Sequence, residues 1–265
     1  MPDAGHIDLA ALPAVQRFSP ITLEEMDSIK LMNRVDTKYV TNEQTLASVL
    51  EDAASAGYMA LVTDGGRVAC YDSVYFDTQG LRMYLDHHNQ RLTRQKVRTR
   101  LYVASSQAFL EIKRKNNNGR TKKKRTGIPP AELMSFASDT PACEYLAGNS
   151  WFTADELTPS LETVFNRITL VNPAKTERLT IDSRVEFRNL RTGRRASLQD
   201  AVVIEIKQDG RASSPMKDIL LQRRVKPLRV SKYCVGVALT DPTVKSGRFK
   251  VKIRMIEKQI NNVRT

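Results

Sequence analysis

The stretch from Arg91 to Arg125 constrains the fold most, because its charges recur at the spacing of β-strands. It contains thirteen Lys and Arg residues and a single acidic residue, Glu111. At the two-residue period of a strand, two consecutive runs each have one charged side and one mostly apolar side. The charged sides hold Lys96, Arg98 and Arg100 in the first run, and Glu111, Lys113 and Lys115 in the second. Two adjacent strands of this kind would present a cationic face that contains one carboxylate.

The overall charge indicates an anionic partner. The 265 residues carry a formal net charge of +13, and the sequence pI is about 9.8. Nucleic acid, anionic lipid and phosphorylated small molecules are all attracted by such a surface. Charge alone does not choose among these partners.

Cysteine usage and hydropathy predict a cytoplasmic protein. Cys70, Cys143 and Cys234 are widely spaced and odd in number, which supports neither a disulfide framework nor a zinc site. A reducing cytoplasm fits this pattern best. No apolar run approaches the ~20 residues of a membrane span. Any membrane contact is therefore expected to be peripheral, at the inner face of the membrane, or through a membrane-protein partner. The basic tail is one candidate surface for such contact.

Further segments repeat the alternation of charged and apolar sides. They cover residues 33–40, 159–171, 177–188 and 201–207. In residues 177–188, Val185 and Phe187 are predicted to lie opposite the charged side. The predicted charged sides hold Lys38, Arg167, Arg178, Thr180, Asp182, Arg184, Glu186, Glu205 and Lys207.

Such strands fit either a one-sided sheet with a solvated face or a sheet closed on itself. Basic residues dominate the charged sides and nearly every strand adds one acid, which favours closure around a polyanion and metal. Closure predicts an α+β fold, a closed antiparallel β-barrel with a polar, basic interior and helices packed outside. Residues 1–20 are predicted to form a flexible N-terminal lead-in, 21–242 the tunnel domain and 243–265 a basic C-terminal tail. Residues 116–125 are predicted to form a loop at the tunnel entrance.

The charged sides suggest phosphate chemistry. Arg forks and Lys ammonium groups can bind a phosphate chain along its length. Glu205, supported by Glu111 or Asp182, offers hard oxygen ligands for Mg²⁺ or Mn²⁺. Phosphoryl transfer needs mainly positioning and charge neutralisation, and no general base when the acceptor is itself phosphate. The chain has no P-loop, dinucleotide-binding, kinase or HExxH motif.

An ordered set of strings carries a resemblance to a known family. These strings are RVDTKYV at 34–40, VYFDT at 74–78, RQKVRTRLY at 94–102, LEIKRKNNNGRTKKKR at 110–125, ERLTID at 177–182, IEIK at 204–207 and SKY at 231–233. The chain resembles the polyphosphate polymerase domain of the vacuolar transporter chaperone (VTC) type, in the triphosphate tunnel metalloenzyme (CYTH-like) superfamily. The strings span roughly residues 20–240 in the expected order.

The resemblance implies that the barrel is an eight-stranded β-barrel (tunnel) and that the chain is an enzyme that uses ATP or another nucleoside triphosphate. With Mn²⁺ or Mg²⁺, it would transfer the terminal phosphoryl group to a growing inorganic polyphosphate chain inside the tunnel. The implied catalytic positions are Lys38, Arg98, Arg100, Lys113, Arg178, Lys207 and Lys232. Further phosphate contacts are assigned to Lys96, Lys115, Lys123, Arg125 and Arg167, and metal binding to Glu205 with help from Glu111 and Asp182.

One departure from the superfamily pattern narrows the alternatives. The superfamily opens with a Glu-x-Glu-x-Lys strand, whereas this chain has Arg34, Asp36 and Lys38. Loss of one acid argues against hydrolases and cyclases that use both. An inorganic tri- or polyphosphatase and a non-catalytic polyphosphate- or RNA-binding module remain as alternatives. Nucleic acid is disfavoured because Tyr102 and Phe109 are the only obvious aromatic residues on the cationic face.

Overall fold

The computed structural model describes residues 7–29, 34–210 and 212–261. The helices are α1 Pro13–Arg17, α2 Leu23–Ser28, α3 Glu43–Ser55, α4 Arg82–His88, α5 Thr140–Asn149, α6 Pro215–Gln222, α7 Lys232–Thr240 and α8 Gly247–Asn261. The strands are β1 Ser19–Ile21, β2 Val35–Asn42, β3 Met59–Leu61, β4 Ala69–Asp77, β5 Arg94–Tyr102, β6 Gln107–Lys115, β7 Thr121–Ile128, β8 Thr158–Val171, β9 Glu177–Asn189, β10 Arg195–Ser197 and β11 Ala201–Gln208. Short 3₁₀ turns cover Leu9–Ala11 and Pro130–Leu133.

One large sheet organises the molecule. Eight strands follow one another in the order β2-β11-β9-β8-β4-β5-β6-β7, and every pair along this path is antiparallel. The short strands β1, β3 and β10 attach to its side, with β1 and β3 paired in parallel. The predicted α+β class with a large antiparallel sheet is confirmed.

The sheet is strongly curled. The ammonium group of Lys38 on β2 lies 3.3 Å from the carbonyl oxygen of Val230, and that of Lys96 on β5 lies 2.7 Å from the hydroxyl of Ser231. In a flat sheet, β2 and β5 would be ~24 Å apart, because five inter-strand spacings separate them. Contact with two consecutive residues therefore requires the two ends of the path to bend towards each other. We call the concave face of this path the trough.

Hydrogen bonds between strands do not close the sheet within the described ranges, so the predicted closed barrel is not what the structure shows. The path ends at β2 and β7, which are not paired with each other. Residues 227–231, which we call the strap, lie along the outer edge of β2 instead. Tyr39 bridges to Pro227, and the Leu228 amide donates to the carbonyl of Lys38 at 2.8 Å. The strap therefore occupies backbone hydrogen-bonding groups at the edge of β2, which a neighbouring strand would need in order to close the barrel.

Helices cover the convex face because the strands alternate. The apolar side chains that point away from the trough form two cores, one under α1, α3 and α6 and one under α5. Helix α3 begins where the Asn42 side chain accepts a hydrogen bond from the Thr45 amide at 2.8 Å. Its Leu46, Val49 and Leu50 are fully buried. The cores hold the strands in place and leave the charged side chains to the trough.

Helix α7, which we call the plug, packs inside one end of the trough. Ser231 caps its N-terminus, because the Ser231 hydroxyl accepts a hydrogen bond from the Cys234 amide. Gly236 allows the close approach, because a Cβ there would lie 2.5 Å from Leu161 and 2.6 Å from Phe187 on the inner faces of β8 and β9. The concave face is thus apolar and filled at the plug end, and charged beyond it.

A β-bulge changes which residues of β9 face the trough. The β8–β9 register shifts between Val164 and Asn166, and Arg184 has a φ of 50°. The extra residue reverses the alternation. Val185 and Phe187 therefore share the trough face with Asp182 and pack on the plug, whereas the sequence pattern predicted them on the opposite side. The prediction failed because a strict two-residue period assumes an unbroken strand.

The predicted entrance loop is in fact mostly a strand. Residues 116–120 form the turn, and β7 pairs with β6 from Thr121 to Ile128. Lys123 lies opposite Lys113 and Arg125 lies opposite Glu111, so both point into the trough. The strand lacks the apolar side that a two-residue pattern needs, because it lies at the end of the sheet and is largely exposed.

Both predicted terminal segments contain packed structure. Within the predicted lead-in, the described residues 7–20 bury Leu9, Val15 and Phe18 in the core, which differs from a flexible segment. Within the predicted tail, α8 buries Phe249 and Ile256 against the plug side of the fold. None of the helices in the described ranges is long and apolar enough to cross a membrane.

Candidate functional site

The trough collects all twelve cations that the sequence singled out. Paired residues of adjacent strands share a face, so the register Lys38 to Glu205, Lys207 to Arg178 and Arg98 to Glu111 places both walls inward. The plug adds one cation at its first residue. The set consists of Lys38, Lys96, Arg98, Arg100, Lys113, Lys115, Lys123, Arg125, Arg167, Arg178, Lys207 and Lys232.

Glu111 holds two of these cations in the wing formed by β5, β6 and β7. The Arg98 Nε donates to Glu111 Oε2 at 2.7 Å, and Lys123 contacts Oε1. The Glu111 side chain is 2% exposed. Burial by itself raises the pKa of this carboxyl, but Arg98, Arg100 and Lys123 together hold the pKa well below its usual range. Glu111 is therefore an ionised counterion with both oxygens in use.

Asp182 plays the same part in the opposite wall. Arg167 donates to both of its oxygens, at 2.6 Å from Nε and 2.8 Å from Nη2, and Lys232 of the plug contacts Oδ2. The Asp182 side chain is 4% exposed. Burial opposes ionisation here too, and Arg167 and Lys232 hold the pKa of the carboxyl well below its usual range. This group also ties the plug to the sheet.

Glu205 is held more loosely between two lysines. Its Oε1 lies 3.4 Å from the Lys38 ammonium, and its Oε2 lies 3.1 Å from that of Lys207. The side chain is 20% exposed. Burial raises the pKa of Glu205, but Lys38, Lys207 and Lys113 outweigh it and keep the carboxyl ionised far below its usual range. Longer contacts and greater exposure leave its oxygens accessible to another cation.

The three predicted metal ligands do not form one metal site. Across residues 7–29, 34–210 and 212–261, no group of three or more His, Cys, Asp and Glu side chains could hold a metal ion. Glu111 and Asp182 are each occupied by short contacts to two cations. A divalent ion held by a single carboxylate plus ligand phosphates and water suits Mg²⁺ chemistry, and only Glu205 fits that role.

Aromatic side chains form the floor beneath the cations. The Arg100 guanidinium donates to the Ser73 hydroxyl at 2.9 Å and lies over the rings of Tyr71 and Phe165, at 5.2 and 5.6 Å. Tyr71 and Phe165 stack on each other at 5.5 Å. Cation–π contact and packing thus fix the direction of the guanidinium without neutralising it.

Tyr75 is a further trough residue that the sequence analysis did not identify. Its hydroxyl accepts from Arg98 Nη1 at 3.0 Å. Burial raises its pKa, but Arg98, Arg100 and Lys96 lower it to about 8. Tyr71, Ser73 and Tyr75 occupy alternate positions of β4, and that spacing could have placed them on the charged side.

Most lysines of the trough have depressed pKa values, and the shift is large for three of them. Burial lowers the pKa of Lys113, Lys123 and Lys232 to about 8 in each case. Contacting carboxylates partly offset this for Lys123 and Lys232, and the charge of Glu205 does so for Lys113, which is in no ion pair among the described residues. Lys38 and Lys96 add repulsion that lowers the pKa of Lys113 further. Desolvation and the neighbouring cations thus make protonation of these lysines less favourable than in water.

The remaining predicted residues line the ends of the trough. Arg125 is exposed and lies over the Phe109 ring at 4.7 Å. Arg178 is half-buried opposite Lys207. Asp36 is the one acid that this chain keeps from the Glu-x-Glu-x-Lys pattern, and it pairs with Arg34 at 2.7 Å. His87 is surrounded by cations, and burial together with Lys96 and Arg94 lowers its pKa to about 2.

In comparisons with known proteins, the family model of the VTC domain matches residues 33–240 of this chain. No curated protein matches the chain significantly. Among solved structures, a candidate adenylate cyclase from Bacillus halodurans is 12% identical, with a TM-score of 0.48 over 76% of this chain and 96% of that one. A candidate adenylyl cyclase from Hippeastrum, described as having a dominant triphosphatase activity, is 13% identical, with a TM-score of 0.47 over 78% and 96%. A conserved hypothetical protein from Pyrococcus furiosus is 12% identical, with a TM-score of 0.42 over 76% and 99%.

Proposed function

The chain belongs to the VTC domain family, and from this premise we propose that it is a metal-dependent polyphosphate polymerase. It would transfer the terminal phosphoryl group of ATP or another nucleoside triphosphate to a growing inorganic polyphosphate chain. One observation carries the proposal: twelve cations share a concave face with only three carboxylates paired to them. In this proposal the curled path and the strap together act as the tunnel wall.

The cations have separate tasks in the reaction. Arg98 and Arg100 are fixed by hydrogen bonds and suit the donor phosphates, because guanidinium forks bind phosphate oxygens in a defined geometry. Lys113 is in no ion pair among the described residues and is free to neutralise the transferring group. An oxygen of the acceptor chain attacks the terminal phosphorus while the bond to the bridging oxygen of the donor breaks. The acceptor is already anionic, so no proton has to be removed.

Glu205 would hold the divalent ion, Mn²⁺ or Mg²⁺. When bound, such an ion neutralises charge on the transferring phosphates. Lys38 and Lys207 would keep the carboxylate ionised and directed into the trough. Glu111 and Asp182 position their cations.

An inorganic tri- or polyphosphatase is the second candidate function. The electrostatics of the trough favour it less than the polymerase. Hydrolysis benefits from a base that activates water, and a carboxylate serves poorly when neighbouring cations keep its pKa far below neutrality. Glu111, Asp182 and Glu205 are all in that condition. A phosphate acceptor needs no such base. A non-catalytic polyphosphate or RNA binder would have no use for Glu205.

Incubation of the purified protein with ATP and Mn²⁺ separates these functions. Products are resolved on a gel, and released phosphate is measured in parallel. Long phosphate chains are expected from the polymerase, and phosphate without chains would favour the phosphatase. Binding of tripolyphosphate without either product would contradict both enzymatic functions. The cytoplasmic location and a membrane-protein partner remain predictions from sequence.

A further inference from the structure

Four cations lie together beside the strap. Of these four, only Lys115 belongs to the predicted phosphate contacts. They are Arg94 on β5, Lys115 on β6, Arg229 in the strap and Lys252 on α8, and we call them the seam cluster. Arg94 and Lys115 are register partners on the trough face. Lys115 follows Lys113 by two residues on the same side of β6, ~7 Å further along the strand. The cluster therefore begins where the catalytic cations end.

Contacts place the strap and α8 against this end of β5 and β6. Lys96, two residues after Arg94 on the same side, donates to Ser231 of the strap at 2.7 Å. Phe249, one helical turn before Lys252, packs on the His87 ring with centroids 6.0 Å apart. His87 in turn lies close enough to Lys96, Arg94 and Lys252 for each to lower its pKa. Lys252 is therefore on the side of α8 that faces the strap.

Leu228 and Val230 of the strap share one apolar core with Phe249 and Ile253 of α8, so the strap and α8 pack beside each other. Burial lowers the pKa of Lys115, and Arg94 and Arg229 lower it further. Burial likewise lowers the pKa of Lys252, with Arg229 adding to the effect. Arg229 stands between Leu228 and Val230 in the segment that packs beside α8, and its effect on the pKa of Lys115 and Lys252 agrees with that placement. The four residues join the two elements through the strap.

The seam cluster differs from the trough in having no counterion. Among the described residues, none of its four members is in an ion pair. Like charges held this close are unfavourable unless an anion binds between them. All four are partly or fully exposed, so a ligand can reach them.

We propose that the seam cluster is a second polyphosphate-binding segment, which holds the part of a long chain that extends out of the trough past the strap. The inference rests on the proposed function and adds to it a length preference. Tripolyphosphate would be held by the trough cations alone. A chain of many phosphates would continue from Lys113 past Lys115 to Arg229 and Lys252 and would bind more tightly.

The test compares ligand lengths on two matched double variants. Arg229→Ala with Lys252→Ala removes two charges from the cluster. Lys250→Ala with Arg254→Ala removes two charges from exposed positions of α8 that lie ~160–200° around the helix from Lys252. Calorimetry measures the affinity for tripolyphosphate and for long-chain polyphosphate at one fixed salt concentration. Thermal melts check that both variants fold.

The cluster variant is expected to lose about thirtyfold in affinity for the long chain, which is about 2 kcal/mol for the two basic residues removed. Its tripolyphosphate affinity should stay within about twofold. The control variant should keep both affinities. Equal effects of the two variants on the long chain would overturn the inference. So would a wild-type protein that binds long chains no more tightly than tripolyphosphate. If wild-type protein bound neither ligand, the proposed function itself would fail.

Discussion

The Asp182 and Glu205 groups lie two residue positions apart in the same wall and differ in how completely their carboxylates are used. Val203 is the register partner of Asp182, and Glu205 follows Val203 by two residues on β11. Each acid lies between two cations. Asp182 has short contacts on both oxygens and is 4% exposed, whereas Glu205 has contacts of 3.1 and 3.4 Å and is 20% exposed.

Under the proposed function, the difference separates a structural counterion from a metal ligand. A buried acid saturated by Arg167 and Lys232 cannot accept another cation without losing one it holds. A carboxylate with long contacts to flexible lysine side chains can. We therefore expect the same charge on the same wall to serve folding at Asp182 and metal binding at Glu205. Substitution of each acid tests this separation.

Asp182→Asn is expected to give the largest effect, on stability. It leaves Arg167 and Lys232 buried without a counterion, and breaking a buried pair in this way costs about 3–5 kcal/mol. Denaturant unfolding measures the loss. Asp52→Asn is the matched control, because its pair with Arg223 is solvent-exposed and should contribute at most about 1 kcal/mol. Equal losses for the two variants would contradict the structural role of Asp182.

Glu205→Gln is expected to lower turnover by about a hundredfold, comparable to removing one transition-state contact, and to change stability by less than about 1 kcal/mol. Its lysine partners remain partly solvated once the charge is removed. Polymer synthesis with ATP and Mn²⁺ measures the effect. The control is Glu162→Gln, which breaks an ion pair with Arg188 on the convex face and should leave turnover unchanged. Full turnover in the Glu205 variant would refute metal binding at this residue.

Glu111→Gln should cost about 1–3 kcal/mol of stability, less than the Asp182 variant. Its partner Lys123 is 44% exposed and can be hydrated when the pair is lost. Because Arg98 and Lys123 are then released, tripolyphosphate should bind a few-fold more tightly. Unfolding and calorimetry test the two parts. Weaker tripolyphosphate binding at unchanged stability would instead favour a ligand-binding role for Glu111.

Raising the pH should weaken tripolyphosphate binding, and we expect this effect to be smaller than those of the three substitutions. The pKa of Lys113 is about 8, so its ammonium is present below that pH and is lost above it. Affinity is expected to fall several-fold between pH 7 and pH 9.5. In Lys113→Arg the charge persists, so part of that loss should disappear, and comparing the two proteins cancels changes in ligand protonation. Identical pH profiles would show that Lys113 does not contact the ligand.

Alternation predicted much of the sheet, because side chains on a strand must point to opposite faces. It placed Arg98, Arg100 and Glu111 on one side correctly. It failed at Arg184, where one extra residue reverses the sides, and at β7, which is charged on both sides. The two failures have different physical causes: a bulge reverses the phase of an alternation that is present in the sequence, and an exposed end strand has no apolar side at all.

The ion-pair partners could not be predicted from sequence. Asp182 is paired with Lys232, fifty residues later, because the plug enters the trough. The strap likewise replaces barrel closure through a single carbonyl contact at Lys38 and a bridge at Tyr39. Such contacts depend on where helices lie relative to the curled sheet, which short-range patterns do not determine.

Gly236 lets the plug lie so close to β8 and β9 that even one added methyl group would collide with Leu161 and Phe187. A helix seated without slack cannot slide aside to admit a ligand from its own end. Under the proposed function, donor, leaving group and growing chain would share the two remaining routes, the far opening of the trough and the seam. Their order of arrival and departure would then be set by competition for these routes, a kinetic constraint that a single small residue imposes.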